Sequence, residues 1–553
     1  MWSEYIIEDF SNINGLKEKY PDIIFRKVSE QIYVVEVPTT AKVEMLELAE
    51  HLRYVQTSFL YGLNIEEALQ DSGISVFHDY PYGELRGKGV ILGFVDTGIE
   101  YTSNFFRFED GSTRIVSIWD QTIEDGKPPK EDSFGSEYTR EEINEALKSD
   151  NPLSIVPSTD YNGHGTYIAG VAGGSDRLGR SGYVGAAPDA EFIVVKMREA
   201  SQSLKDYYLV KPGVVAYPDG SILLGINYII EKAAQLNKPL VLCIAVGNNY
   251  GGHDGTNVIE RYLGHLTLMP KVIVVAAAGN EGNAGHHYKN TVEQNEKRTV
   301  ELNVAANENG FLLHIWGTQI DKLSVGLRSP IGQIIERVPL KPYKAEKFNF
   351  SLQSSKIIID YKYPESNTGG ESIVIAFQEP IAGIWQIDIY GDDITNGTFH
   401  MWLPRAGFVE NNTRFSEPNL ETTVCVPATA DFVIVVGGYD VVDKSLYAAS
   451  GRGPTRFGDI KPDIIAPSIN IDGPGLNNTL TSATGTSVGA AMTAGAGALL
   501  LEWAILNEGL PTLNTRIARM VLARGAQRQP PGGHPTNIEG FGMLDLQNAL
   551  LLI

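Results

Sequence analysis

Four side chains of this sequence, Asp96, His164, Asn280 and Ser487, have the types and settings that acyl transfer requires. Ser487 stands in TSATGTSVGAAMTAG (481–495), where the density of Gly and Ala indicates a helix packed close against its neighbours. Such a serine is either a nucleophile or one more small packing residue, and the stretch alone does not separate the two. A nucleophilic serine needs a base, and the base needs an orienting group. His164, in STDYNGHGTYIAGVAGG, lies between two glycines at the entry to a small-residue helix. Flanking glycines let other groups approach the ring closely. Asp96 ends the strand-like run GVILGFVD. As part of Asp-Thr-Gly it is also common turn chemistry. An aspartic protease would need two such carboxylates sharing a proton, and this sequence has one DTG. Asn280, at the end of VIVVAAAGN, is either a helix cap or turn residue or a side-chain donor to an oxyanion. His286 and His287 lack HExxH-type spacing, so no metal site is assigned to them.

These residues need a scaffold, and the chain supplies an α/β one. GVILGFVD, AEFIVVKM, PLVLCIAV and KVIVVAAAGN are continuous apolar strands, and SILLGINYIIEKAAQL has helical spacing. Apolar strands alternating with helices predict a parallel sheet covered by helices on both faces. In such sheets functional groups gather where strands end at their carboxyl side, which is where Asp96 and Asn280 fall. From ELNVAA to TFHMWLP the texture changes to short strands at regular spacing, which predicts an all-β sandwich or jelly roll over 291–424. The α/β texture returns after it, so the β module is an insertion between 57–290 and 425–553. Residues 1–56 read as a small α+β module, with strands IIFRKVS and QIYVVEVP and a helix KVEMLELAEHLR. So short a module is marginal alone and is expected to lean on the rest.

Composition excludes several classes. Of 553 residues, 43% are hydrophobic and 20% charged, as in ordinary globular proteins. The net charge of −22, from 67 acidic and 45 basic residues, argues against nucleic-acid and anionic-membrane partners. Cys243 and Cys425 sit in apolar runs and imply buried thiols, not a disulfide framework. No stretch reaches about 18 consecutive apolar residues, so no membrane span is expected. MWSEYIIEDF has no basic start followed by an apolar run, so a non-secreted, intracellular protein is expected. No acidic loop is specific enough to assign a calcium site, and no cofactor is called for.

The order Asp96, His164, Ser487 is one of the known orders of a serine-hydrolase triad. VDTGIE, NGHGTYIAG, AAAGNEG and GTSVGAA, followed by SGRGP, KPDIIAP and GFGMLDLQNAL, resemble the signatures of the subtilisin-like serine proteases in their family order. The resemblance covers about 57–290 and 425–553. It implies that Asp96, His164 and Ser487 are acid, base and nucleophile, and that Asn280 is the oxyanion donor. It also implies that Ala245, Val246 and Gly247 pair with the substrate backbone, with Ala277, Ala278 and Gly279 as the opposite wall. Val488–Gly489–Ala490–Ala491 departs from the family, which has a proline after its serine, and Tyr167 stands where a second, non-catalytic histidine is common.

The insert, the short N-terminal module and the lack of a leader are similar to the Csp germination proteases of spore-forming clostridia. That resemblance implies a protease that resides in the spore and activates a cortex-lytic zymogen by limited cleavage. It also implies that 1–56 is a prodomain, cut by the enzyme itself and retained as a bound fragment. The extended segment from Arg53 places the expected self-cleavage between Gln56 and Thr57. A general intracellular subtilisin and a signalling pseudoprotease are the alternative readings. The intact triad disfavours the second.

Overall fold

Side-chain alternation decides how the N-terminal strands sit. β1 (Trp2–Glu8), β2 (Ile24–Lys27), β3 (Ile32–Pro38) and β4 (Tyr54–Thr57) form an antiparallel sheet in the order β2-β3-β1-β4. Ile6 and Val34, facing each other across β1 and β3, enter the core of the large domain. Ile7, Tyr33 and Val35 point the other way, into a cluster with Ile23 and Phe25. The small sheet therefore leans on the rest, as its size requires. The computed structural model describes residues 2–8, 17, 20–29, 31–38, 54–57, 60–63, 72, 74–78 and 85–552, without 180, 343, 353, 507–509, 530 and 531. The helix expected from KVEMLELAEHLR lies outside the described residues. β5 (Leu60–Leu63) is not part of the small sheet.

The large domain is built on β6 (Ile91–Asp96), β7 (Ile115–Asp120), β8 (Ser136–Thr139), β9 (Glu191–Lys196), β11 (Leu240–Ile244), β13 (Val272–Ala277), β25 (Ile434–Tyr439) and β26 (Ile464–Pro467). Their order is β26-β25-β13-β11-β6-β9-β7-β8, and every neighbouring pair is parallel except β7–β8. One face carries α1 (His164–Gly173) and α4 (Thr486–Leu506), and the other carries α2 (Asp219–Gln235) and α3 (Val258–Leu266). Helices on both faces explain why β6, β11 and β13 are buried along their whole length. Helix α4 is long and apolar enough to cross a membrane, yet 89% of that stretch is buried inside the fold. Here it is a core helix.

Two short strands, β10 (Tyr217–Pro218) and β12 (Val246–Gly247), stand outside the large sheet. Strands β14 (His287–Thr291) to β24 (Arg414–Phe415) make two antiparallel sheets of six and five strands. The sheets enclose a separate core that includes Phe311, Phe377 and Trp385. The insertion expected at 291–424 thus starts its first strand at His287 and ends its last at Phe415.

Candidate active site

His164 is the first residue of α1, and its Nδ1 lies 2.7 Å from Asp96 Oδ1 at the end of β6. Both side chains are buried, 4% and 2% exposed. Asp96 Oδ1 also accepts the Thr97 N–H at 2.7 Å, which fixes the carboxylate. The turn after β6 is bolted to α1. Gly165 N–H donates to Thr97 Oγ1 at 2.9 Å, and Glu100 N–H to Thr166 Oγ1 at 2.9 Å. A Cβ on Gly165 would stand 2.2 Å from the Gly98 carbonyl oxygen, so only glycine allows this approach. Asp160 holds the helix start: it accepts Gly163 N–H at 2.8 Å and Thr166 N–H at 2.9 Å. The orphan donors of α1 are shared out: Thr166 N–H goes to this carboxylate, four residues ahead of His164, Gly165 N–H to Thr97 and His164 N–H to Asn162 Oδ1 at 3.3 Å.

Ser487 is the second residue of α4, and its Oγ donates to the Ala245 carbonyl at 3.2 Å. Asn280 Oδ1 accepts the Thr486 N–H at 3.1 Å and lies 3.2 Å from the Thr486 hydroxyl. A backbone N–H can only meet the oxygen of an amide, so the Nδ2 end of Asn280 is the one turned away from Thr486. The residue beside the serine thus aims the asparagine. Tyr167 is buried, and its hydroxyl donates to the Ile471 carbonyl at 2.7 Å, an anchor for α1.

The residues expected to form two walls lie at and after the ends of neighbouring parallel strands. Ala245–Gly247 includes β12, and Ala277 closes β13 ahead of Ala278 and Gly279. Gly279 has φ +91°, and a Cβ there would meet Cys425 Sγ at 2.2 Å. What lies on the first wall differs from expectation. β5 pairs antiparallel with β12, Leu63 opposite Val246 and Gly62 opposite Gly247. On its other side Tyr61 faces Tyr217 and Leu60 faces Pro218 of β10. A stretch of the chain's own N-terminal region is therefore the middle strand of three, between β12 and β10. Gln56 and Thr57, expected in the cleft, belong instead to β4, paired with Ile6 and Tyr5 of β1. A strand that completes the small sheet cannot also pair with β12, so the expected position is corrected. Arg53 lies outside the described residues.

Sequence reading missed the layer behind the walls. Glu281, next to Asn280, accepts from Asn249 Nδ2 at 2.9 Å and from the Ala406 N–H at 2.8 Å, and lies 2.7 Å from His286 Nδ1. Burial pushes its carboxyl up, but His286, the Ala406 N–H and Arg405 outweigh it and hold it below the ordinary value. Arg405 comes from the insert's return segment and donates to the Gly247 carbonyl at 3.4 Å. Cys425 is a buried thiol, 3.6 Å from Asn249 Oδ1, and burial raises its pKa. Residues so far apart in sequence leave no local motif. The one available signal was an acid and a base close together, Glu281 next to Asn280 and His286 five residues on.

A strand-end carboxylate, a helix-entry imidazole and a helix-entry serine on one parallel sheet are the parts that acyl transfer by a serine hydrolase uses. The pattern of the subtilase family, Peptidase_S8, matches residues 87–312 and 408–542, and the chain belongs to that family. The unmatched stretch between them falls inside the sandwich. The solved structure of the Clostridium perfringens CspB protease is similar, with a TM-score of 0.77 and 31% identity over 87% of this chain and 97% of that one. The Major intracellular serine protease of Bacillus subtilis is 28% identical over 225 residues, 41% of this chain and 50% of the relative. The Intracellular serine protease of Paenibacillus polymyxa is 28% identical over 202 residues, 36% of this chain and 45% of the relative. The chain thus spans about half the length of these curated relatives.

Proposed function

We propose that this chain is a serine endopeptidase that first cuts its own N-terminal module and then acts on a protein substrate. The observation that carries this reading is β5 lying on β12, beside a buried Asp96–His164 contact and a Ser487 held against Ala245. With Nδ1 engaged by Asp96, His164 uses Nε2 to take the Ser487 proton as Oγ attacks the peptide carbonyl, and later returns it to the leaving amine. Asp96 holds the tautomer and stabilises the imidazolium. The oxyanion is met by Asn280 Nδ2 and the Ser487 N–H. A substrate residue opposite Ala245 presents its carbonyl to Ser487. β5 ends at Leu63, opposite Val246, so the proposed cut follows just beyond the described segment 60–63.

Retention of the cut module has support in its interface. Glu36 pairs with Arg198 at 2.5 Å, Glu8 with Arg261 at 2.6 Å, and Ile6 and Val34 are fully buried. Activation of a cortex-lytic zymogen by limited cleavage in a germinating spore is the finer part of the reading, and its support is the likeness to the CspB protease. Intact-mass spectrometry of wild type beside Ser487→Ala tests the first part. Two co-purifying fragments split just beyond Leu63, with the variant whole, are expected; an uncut wild type overturns it. Cleavage of a purified zymogen far faster than casein is expected for the second.

A further inference from the structure

We infer that the inserted sandwich is docked on the large domain through an acid-sensitive seam, closed while His287, His314 and His400 are neutral and loosened when they take up protons. Strand alternation puts these three on one face. Across β14, β23 (Thr398–Trp402) and β16 (Gly310–Trp316), His287, Trp402 and His314 form one row, and Lys289, His400 and Trp316 the next. The residues between them, Tyr288, Met401 and Ile315, point the other way into the sandwich core. The large domain covers the first face with rings and a guanidinium. His253 stacks on Trp402 at 4.3 Å, Tyr250 lies 5.4 Å from His314, and Arg456 sits over Trp316 at 4.9 Å. Three of the chain's ten histidines thus end in one seam, each at most 7% exposed.

Their surroundings favour the neutral ring. The carboxylate–imidazole contacts among the described residues belong to His164, His286 and His534, not to these three. The charges that act on them are cations: Lys289 and Arg456 on His400, Lys289 on His287, and Lys362 on His314. On the large-domain side Asp254 is already paired with Arg456, and the rings of His253 and Tyr250 complete the titratable groups facing the seam. The rows of the sheet end in Asp360 and Lys362, two strands beyond His314 and Trp316. His287 Nε2 and His400 Nδ1 share one proton at 3.0 Å, a bond that two imidazolium rings, with donors only, cannot make. His314 Nε2 has no hydrogen-bond partner among the described residues. The carbonyls of Asn419 and Glu421 favour a proton on His287, but burial and the neighbouring positive groups outweigh them. Burial and the cations push His287 and His314 down to about 3 and His400 well below its ordinary value. When the seam opens and water reaches the rings, the ordinary value near 6.5 returns. Docking is therefore complete above about pH 6.5 and weakens as pH falls below it. At pH 5.5 each ring favours the open form about tenfold, and the three together up to about a thousandfold. The loosening reaches the cleft, because β23 runs straight into Leu403 and Arg405, which bond to Asn249 at 3.2 Å and to the Gly247 carbonyl at 3.4 Å.

The inference stands apart from the peptidase reading, and its test reads structure in the full chain carrying Ser487→Ala, so that neither self-cutting nor the titration of His164 enters. Hydrogen exchange, corrected for its intrinsic pH dependence, is followed at pH 7.5 and 5.5 at the amides of Lys211 and Ala406. Their bonds, to the Phe408 carbonyl at 3.3 Å and to Glu281 at 2.8 Å, cross the seam. Protection there is expected to fall at least 100-fold in acid, while the amides of β6 and β11 keep theirs. His314→Phe keeps a ring against Tyr250 and cannot take a proton, so it should make the fall about tenfold smaller. If that variant does not fold, His400→Gln, which keeps a hydrogen-bonding group beside His287, decides. Seam protection that holds at pH 5.5 overturns the inference. So does a fall of the same size in the folded variants, or one shared equally by β6 and β11.

Discussion

Two buried carboxylate–imidazole pairs share the same geometry. Asp96 and His164 meet at 2.7 Å, and so do Glu281 and His286; all four side chains are at most 4% exposed. Distance and burial therefore do not distinguish the pair proposed to move protons from the one bonded to the scaffold. Their surroundings do. His164 opens a helix between two glycines, beside a serine-bearing helix start. Glu281 has its oxygens taken by Asn249 and Ala406, and the insert covers it. The first pair stands beside the helix that carries Ser487. The second is joined to the scaffold.

The largest expected effect separates them. His164→Ala should lower kcat about a millionfold, as loss of one member of a working triad does. His286→Ala should not approach that figure, and a comparable fall would break the distinction. Asn280→Ala comes next, with kcat down about 100- to 1000-fold and KM little changed, because the amide acts on charge that develops in the transition state. A fall in KM-type binding alone would refute that role. His286→Ala should then show itself in stability, by about 3 kcal/mol, since it strips a donor from a buried carboxylate. The shift in denaturant midpoint, measured on a Ser487→Ala background to prevent self-digestion, checks it.

Most of this scaffold was legible in the sequence because its signals are local. Apolar strands ending in Asp96 and Asn280, the Gly-His-Gly entry to α1 and the small residues of α4 each occupy a few consecutive positions. Asp160 was legible in principle too, as an acidic residue ahead of a helix start. The insert was visible as a change of strand texture, and its edges were off by a few residues because turns such as 285–287 share residues with both domains. What local reading cannot supply is register. Nothing in YVQTSFLYGLN states that 54–57 completes one sheet and 60–63 another, since both runs suit a strand; the partners β1 and β12 decide. Arg405 was invisible for the same reason. Its partner, the Gly247 carbonyl, is a backbone atom with no sequence signature.

A third buried carboxylate sharpens the comparison by lacking an imidazole. Glu371, in the sandwich, is 1% exposed; its Oε2 accepts the Leu323 N–H at 2.7 Å and its Oε1 has no hydrogen-bond partner. Burial outweighs that one donor and pushes its carboxyl up to about 8. Glu281, equally deep but with more partners, is held below the ordinary value. The sign follows from linkage. Between about pH 4.5 and 8 the native state keeps the Glu371 proton while the unfolded chain has lost it, so stability falls as pH rises through this window. Glu371→Gln keeps an acceptor for Leu323 and cannot ionise. Relative to wild type it should gain stability from pH 5 to pH 8, by roughly 2 kcal/mol once relaxation and water entry reduce the full linkage value. Glu281→Gln should show no such gain, because the group it replaces is already ionised across the same range. Parallel pH profiles for the two variants would mean that partners, rather than depth, do not set the state of these carboxylates, and the distinction drawn between the two imidazole pairs would lose its electrostatic basis.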